Sequence, residues 1–176
     1  LIPYWKEINT EAEAAGVKIG IELHGGFLAH TPYTMLKLRD AAGKAIGCNL
    51  DPSHLWWQGI DPVAAVKILG EADAIHHFHA KDTYLDQDNI NMHGLTDMQP
   101  YSNVKTRAWT FRSVGCGHSL QVWSDIISAL RIYGYDYVLS IEHEDPIMSV
   151  DEGLNRAITN LKSIMIKEEP SAMWWV

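Results

Sequence analysis

Four short apolar runs in this chain each end on a side chain that can bind a metal or move a proton. They are KIGIELH (Lys18–His24), IGCNLD (Ile46–Asp51), AIHHFHAK (Ala74–Lys81) and YVLSIEHE (Tyr137–Glu144). Their length and β-branched content predict strands, in which successive side chains point to opposite faces. On that period Ile19, Ile21 and Leu23 share one face, and Gly20, Glu22 and His24 the other. Ile46, Cys48 and Leu50 oppose Gly47, Asn49 and Asp51, while Phe78 and Ala80 oppose His77, His79 and Lys81. Leu139 and Ile141 oppose Ser140, Glu142 and Glu144. Near the end of each polar face stands one ligand-type residue: Glu22, Asp51, His79 and Glu142. His77, one step deeper, competes with His79 for the third place. Three carboxylates converging on one point repel each other unless a cation lies among them. Three oxygen donors and one imidazole suit a single divalent ion, Mn²⁺, Mg²⁺, Co²⁺ or Zn²⁺, and lean away from structural zinc.

The segments between these runs must bring the four ends together. Pro3 to Ala15 reads as a helix stopped by Gly16. Thr31-Pro32 and Asp61-Pro62 each place a capping side chain before a proline, opening one helix to about Gly43 and another over VAAVKILG. Ser119 opens LQVWSDIISALRIYG, and Val150–Ile166 is amphipathic. Asp82–His118 carries scattered aromatics and few periodic signals. Strands alternating with helices predict a parallel sheet with right-handed crossovers, whose active sites lie at the strands' C-terminal ends.

Composition narrows the partners. The chain has 176 residues, allowing one domain over residues 1–176, with 14 Lys and Arg against 22 Asp and Glu for a net charge of −8. Phosphate-backbone recognition needs clustered cations, so nucleic acid is not expected as the partner. No apolar run reaches the ~18 residues of a membrane span, so no membrane is expected. Only Cys48 and Cys116 are present, which suits a reducing, cytoplasmic setting better than a disulfide scaffold.

The segments IELH, NLDPSH, FHAKD and LSIEHED resemble the last four strands of the sugar phosphate isomerase/epimerase family, the xylose isomerase-like group of (β/α)₈ barrels. The likeness runs from about Val17 to Ile166. It implies an α/β fold corresponding to strands five to eight, the C-terminal half of a TIM barrel. It also implies one divalent metal held by Glu22, Asp51, His79 and Glu142 in that order. By the same resemblance Glu22 and Glu142 form the proton-handling pair, acting on a small sugar whose enediolate the metal stabilises. His54, three residues after Asp51, and Lys81 then contact substrate. His24 lies just above Glu22 at the strand exit, and Arg112 is a candidate anion contact. The continuation His24-Gly25-Gly26 departs from the 3-epimerase pattern, as does Asp82–His118.

Other readings use the same residues. A metal-dependent phosphodiester hydrolase resembling apurinic-site endonucleases shares the barrel. The D-x-H pair it needs after the third strand is absent from Asp82–His118, and the net charge opposes it. A lyase or dehydratase on a keto-polyol would use the same enediolate, and a non-catalytic binding role is a third reading. Gly115-x-Gly117 before a helix reads either as a tight turn or as an amide cradle for phosphate. Trp56, Trp57, Trp109 and Phe111 wall a sugar pocket, cover the barrel mouth or sit at a subunit interface. Among the remaining histidines, His30, His93 and His118 are expected in solvent, with His76 and His143 facing outward as structural residues. Glu144 is inward by parity. Trp174 and Trp175 read as docking residues. A whole barrel of this kind needs about 250 residues. The length therefore predicts a chain lacking the first four strands, or a half-barrel completed by pairing two copies as a homo-oligomer.

Overall fold

The computed structural model describes residues 1–176. Four strands, β1 (Ile19–Glu22), β2 (Ile46–Leu50), β3 (Ile75–Ala80) and β6 (Leu139–Ile141), form one parallel sheet in the order β1-β2-β3-β6. Parallel neighbours need crossovers, supplied by helices α2 (Pro32–Ala42), α4 (Pro62–Glu71) and α6 (Leu120–Ile132). Helix α1 (Ile2–Ala15) precedes the sheet and α7 (Val150–Ile164) follows it. The helices form one layer, in which α1 touches α2, α2 touches α4, α4 touches α6 and α6 touches α7.

The local signals act as their chemistry dictates. Gly16 ends α1 at φ 65°, a left-handed backbone that glycine adopts without strain. The Thr31 hydroxyl accepts from Thr34 N at 3.1 Å, Asp61 from Val63 N, Ser119 from Val122 N and Ser149 from Glu152 N. Between sheet and helices lies a core that includes Leu23, Ile46, Cys48, Leu50, Phe78, Ala80, Trp123 and Ile126. Phe78 is fully buried, worth roughly 1.5–3 kcal/mol relative to exposure. The apolar strand faces thus meet the helices and the polar faces turn away, as the alternation requires. A bulge opposite Cys48 and Asn49 absorbs His76 without disturbing this parity. His76 Nδ1 lies 3.1 Å from the Ile19 carbonyl oxygen, and its ring also meets the buried Arg39 guanidinium.

The segment Asp82–His118 is more ordered than its sequence implies. It forms an antiparallel pair, β4 (Asp82–Leu85) with β5 (Trp109–Arg112), and contains helix α5 (Gln87–His93). A second small core of Trp57, Ala108, Trp109 and Phe111 fastens this pair over the sheet's C-terminal end. A one-turn helix, α3 (Pro52–Trp56), also stands directly after Asp51, where no helix was expected. Its residues are all buried. The C-terminal segment differs in the opposite sense: Trp174 and Trp175 pack edge to face on each other and remain 86% and 66% exposed. They dock on nothing within the chain. No helix is long and apolar enough to cross a membrane.

Candidate metal centre

Glu22 is the last residue of β1, Asp51 the first after β2, His79 the next to last of β3, and Glu142 the first after β6. One ligand-type atom from each lies within 4.8 Å of every other. Neighbouring parallel strands stand roughly 4.8 Å apart, so equal height accounts for adjacent pairs, while Glu22 and Glu142, three strands apart, meet only because their longer side chains reach inward from the polar face. His77 is not part of the group; its Nε2 lies 2.9 Å from Ser140 Oγ, deeper in the sheet.

Asp51 divides its carboxylate between two tasks. Oδ1 accepts from Ser53 N at 2.8 Å and so caps α3. Oδ2 is buried and makes no hydrogen bond. It faces Lys81 Nζ at 3.2 Å and His54 Nε2 at 3.7 Å. Burial pushes the Asp51 carboxyl up to about 7, against the pull of Lys81 and Ser53. Such an oxygen, without a hydrogen bond and sharing the one Lys81 ammonium with further carboxylates, is a group for which a metal ion would be the natural partner. The donor set of three carboxylates and one imidazole fits a hard or borderline divalent ion. The residues present therefore fit the group.

The protein's own cations offset part of this charge. His79 Nδ1 stands 3.0 Å from Glu22 Oε1 and 3.2 Å from Glu142 Oε2. Hydrogen bonding to Glu142 and then Glu22 raises His79 to about 9. The same contact brings Glu142 down to about 2 and lowers Glu22. Lys81 is buried, and its Nζ donates to Glu142 Oε2 and Glu144 Oε2, each at 2.8 Å. Burial opposes its charge, but Asp51, Glu142 and Glu144 outweigh that and raise its pKa.

Above the cluster opens a pocket of ≈ 310 Å³. Glu22, Glu142, Glu144, Lys81, His24 and His54 supply its polar lining, and Tyr101, Thr110, Phe111 and Pro146 complete it. His54 is held by α3 with Nε2 3.8 Å from Glu22 Oε2, and burial lowers it to about 3, so it is neutral near pH 7. His24 packs on both His54 (4.3 Å between centroids) and Phe27 (4.6 Å). Phe111 stacks on Tyr101, and Lys81 Nζ lies 4.4 Å from the Phe111 centroid. Trp57 and Trp109 stack on each other behind this wall, and Trp56 stacks on His118, so these indoles support the mouth without lining it.

Arg112 does not reach the pocket. Strand alternation turns Phe111 inward and Arg112 away, where its Nε donates to Asp145 Oδ2 at 3.0 Å. The Gly115-x-Gly117 cradle holds an anion, but the anion is Asp82. Its Oδ2 accepts from Gly115 N at 2.9 Å, Gly117 N at 3.1 Å, His118 N at 3.0 Å and Trp123 Nε1 at 3.0 Å. Its Oδ1 accepts from Thr83 N and His118 Nδ1. A Cβ on Gly117 would collide with the Thr83 carbonyl, so the close approach requires glycine there. His118, expected in solvent, is thereby drawn onto a fully buried carboxylate.

Sequence comparison agrees with this architecture. Residues 1–164 match the family described as the xylose isomerase-like TIM barrel. The chain belongs to this family. A relative, the uncharacterized protein YfiH of Bacillus subtilis (strain 168), is 41% identical over 162 residues, covering 92% of this chain and 51% of its own length. Among solved structures, the xylose isomerase domain protein from Planctomyces limnophilus superposes with a TM-score of 0.66 at 20% identity, over 93% of this chain and 50% of that one. The probable 3-DHS dehydratase AsbF, involved in petrobactin synthesis in Bacillus anthracis, matches with a TM-score of 0.66 at 19% identity, over 92% and 55%. The chain spans about half the length of the relatives it matches, and its four-stranded sheet corresponds to part of their barrel.

Proposed function

We propose that this chain carries the centre of a divalent-metal-dependent sugar isomerase or epimerase, working by proton transfer next to a carbonyl. The observation that supports it best is the placement of Glu22 and Glu142. They belong to the two flanking strands of the sheet, both line the pocket, and Asp51 and His79 lie between them. Glu22, Asp51, His79 and Glu142 would hold the ion, which when bound polarises a substrate carbonyl and offsets the negative charge of its enediolate.

The remaining chemistry belongs to the chain. Glu22 and Glu142 are both held ionised, so either carboxylate can accept the proton on the carbon next to the carbonyl. For the epimer, the opposite carboxylate, ionised at rest, takes up a solvent proton and passes it to the other face, and the first carboxylate returns its own proton to solvent. Return of the abstracted proton to the former carbonyl carbon, with the hydroxyl proton passing to the other oxygen, gives the isomer. Lys81 fixes the Glu142 and Glu144 carboxylates, and neutral His54 is available to hydrogen-bond a substrate hydroxyl.

Incubation of manganese-loaded protein with a panel of ketoses in D₂O, followed by NMR, tests this reading. Deuterium is expected at the carbon next to the carbonyl of at least one ketose and at none with Glu142→Gln. No incorporation into any ketose defeats proton transfer. Elimination of water from a keto-acid would instead assign a dehydratase, and cleavage of an abasic duplex a hydrolase.

A further inference from the structure

Lys81, Arg112 and the Gly115–His118 amide turn, the cationic and amide anion-binding devices near the candidate metal centre, each already hold a carboxylate of the chain itself. We infer that the pocket selects an uncharged polyhydroxylated substrate, a free ketose or polyol, over a sugar phosphate or sugar acid. The inference rests on the sugar reading above and adds the substrate's charge class.

Three devices for binding an anion exist here, and each is filled. Lys81, the only Lys or Arg lining the pocket, is 1% exposed and has both Glu142 and Glu144 at 2.8 Å and Asp51 at 3.2 Å. A phosphate or carboxylate could reach it only by displacing one of them. Arg112 is turned away and paired with Asp145, whose Oδ2 also accepts from Ser113 N at 2.9 Å. The amides of Gly115, Gly117 and His118, placed as a helix N-terminus would place them for phosphate, converge on Asp82, which is fully buried. Like charge near these carboxylates is repelled. Glu22, Asp51, Glu142 and Glu144, set against Lys81 and a divalent ion, still leave one net negative charge.

The same lining is well made for hydroxyl groups. Carboxylates accept from several O–H donors at once, and His54 adds a neutral ring nitrogen. Phe111 and Tyr101, stacked with centroids 5.7 Å apart, give an aromatic wall for the C–H face of a sugar. Glu144 is the residue that sets the charge preference most directly. It is the half-exposed carboxylate at the mouth, outside the four ligand-type residues, and it removes one bond from Lys81.

The test is calorimetric titration of the magnesium-loaded chain with fructose, fructose 6-phosphate and gluconate, alongside the same set on Glu144→Gln. Fructose is expected to bind about tenfold or more tightly than either anion, with little dependence on salt. Glu144→Gln should raise gluconate affinity about tenfold relative to fructose, because it removes one negative charge and leaves Lys81 only a neutral amide oxygen there. Equal or tighter binding of the phosphate or the acid overturns the inference, as does the absence of binding by all three. Deuterium incorporation is scored separately. Selective fructose binding without exchange keeps the charge preference and defeats the proton-transfer reading, whereas exchange with preferential binding of the phosphate does the reverse.

Discussion

Asp51 and Asp82 are both fully buried near the C-terminal ends of neighbouring strands, Asp51 directly after β2 and Asp82 two residues beyond β3 as the first residue of β4, yet their surroundings are opposite. Asp82 is saturated: backbone amides from the Gly115–His118 turn, the amide of Thr83, the His118 ring and the Trp123 indole all donate to it. Asp51 receives one backbone amide on Oδ1, and its Oδ2 makes no hydrogen bond, having only the Lys81 ammonium at 3.2 Å, which further carboxylates share. A buried charge tolerates its desolvation only when fully paired. The saturated aspartate therefore reads as part of the scaffold, and the unsaturated one marks where a ligand belongs.

The largest effect expected from breaking this contrast is on Asp82→Ala. It leaves four N–H donors unpartnered, the Trp123 indole buried and the three amides part-buried, and should cost about 3–5 kcal/mol. For a domain of this size that lowers the melting temperature by roughly 10 °C. Differential scanning calorimetry checks it, and an unchanged melting temperature would remove the scaffold role. Asp51→Asn should do the reverse. Manganese affinity, read by calorimetric titration, should drop at least about 100-fold, since even groups that merely support metal ligands are worth 10–100-fold. Urea midpoints of the chelated protein should hold or rise, because an incompletely paired buried carboxylate is gone. If Asp51→Asn lowers stability as much as Asp82→Ala, the distinction fails.

The ion-pair geometry of the cluster makes a third prediction, on pH. His79 is raised to about 9 from an ordinary value of 6.5, so the folded chain binds its proton more tightly than the unfolded chain. This stabilisation is complete below pH 6.5 and is lost as pH climbs through 9. Chelated wild-type protein should lose denaturation midpoint between pH 7.5 and 9, and His79→Gln should show a flat profile over that window. A wild-type profile as flat as the variant's would contradict the assignment. The smallest effect is expected at Arg112→Gln. Asp145 keeps the amides of Ser113 and Ile147, so stability should fall by only about 1–3 kcal/mol and fructose affinity should change by less than twofold. A large loss of affinity would put Arg112 back at the substrate.

The contrast between these regions is also the contrast between what the sequence discloses and what it conceals. Glu22, Asp51, His79 and Glu142 are legible because strand parity is a local property and each lies at the end of an unmistakable apolar run. The family likeness is legible for the same reason. Helix α3 was within reach, since Asp51-Pro52 carries the same opening signal as Thr31-Pro32 and Asp61-Pro62. Asp82 was not. Apart from the adjacent Thr83 amide, its partners lie 33 to 41 residues further along the chain. Nothing local distinguishes a carboxylate that fills an amide turn from one in solvent. The hairpin of β4 and β5 was hidden by its shortness, four residues on each side, without clean polar and apolar alternation. With it went the direction of Arg112 and the burial of His118.

The stack of Trp57 on Trp109 has an optical consequence. Their rings lie 4.8 Å apart and only 5° from parallel, one indole from the residue just after α3 and the other from β5. Indoles held so closely couple their electronic transitions, and the coupling vanishes when either moves by a few ångströms. The segment that closes over the carboxylate cluster thus carries its own chromophore pair. Circular dichroism at the indole bands can follow its attachment separately from the helices, and Trp57→Phe supplies the blank.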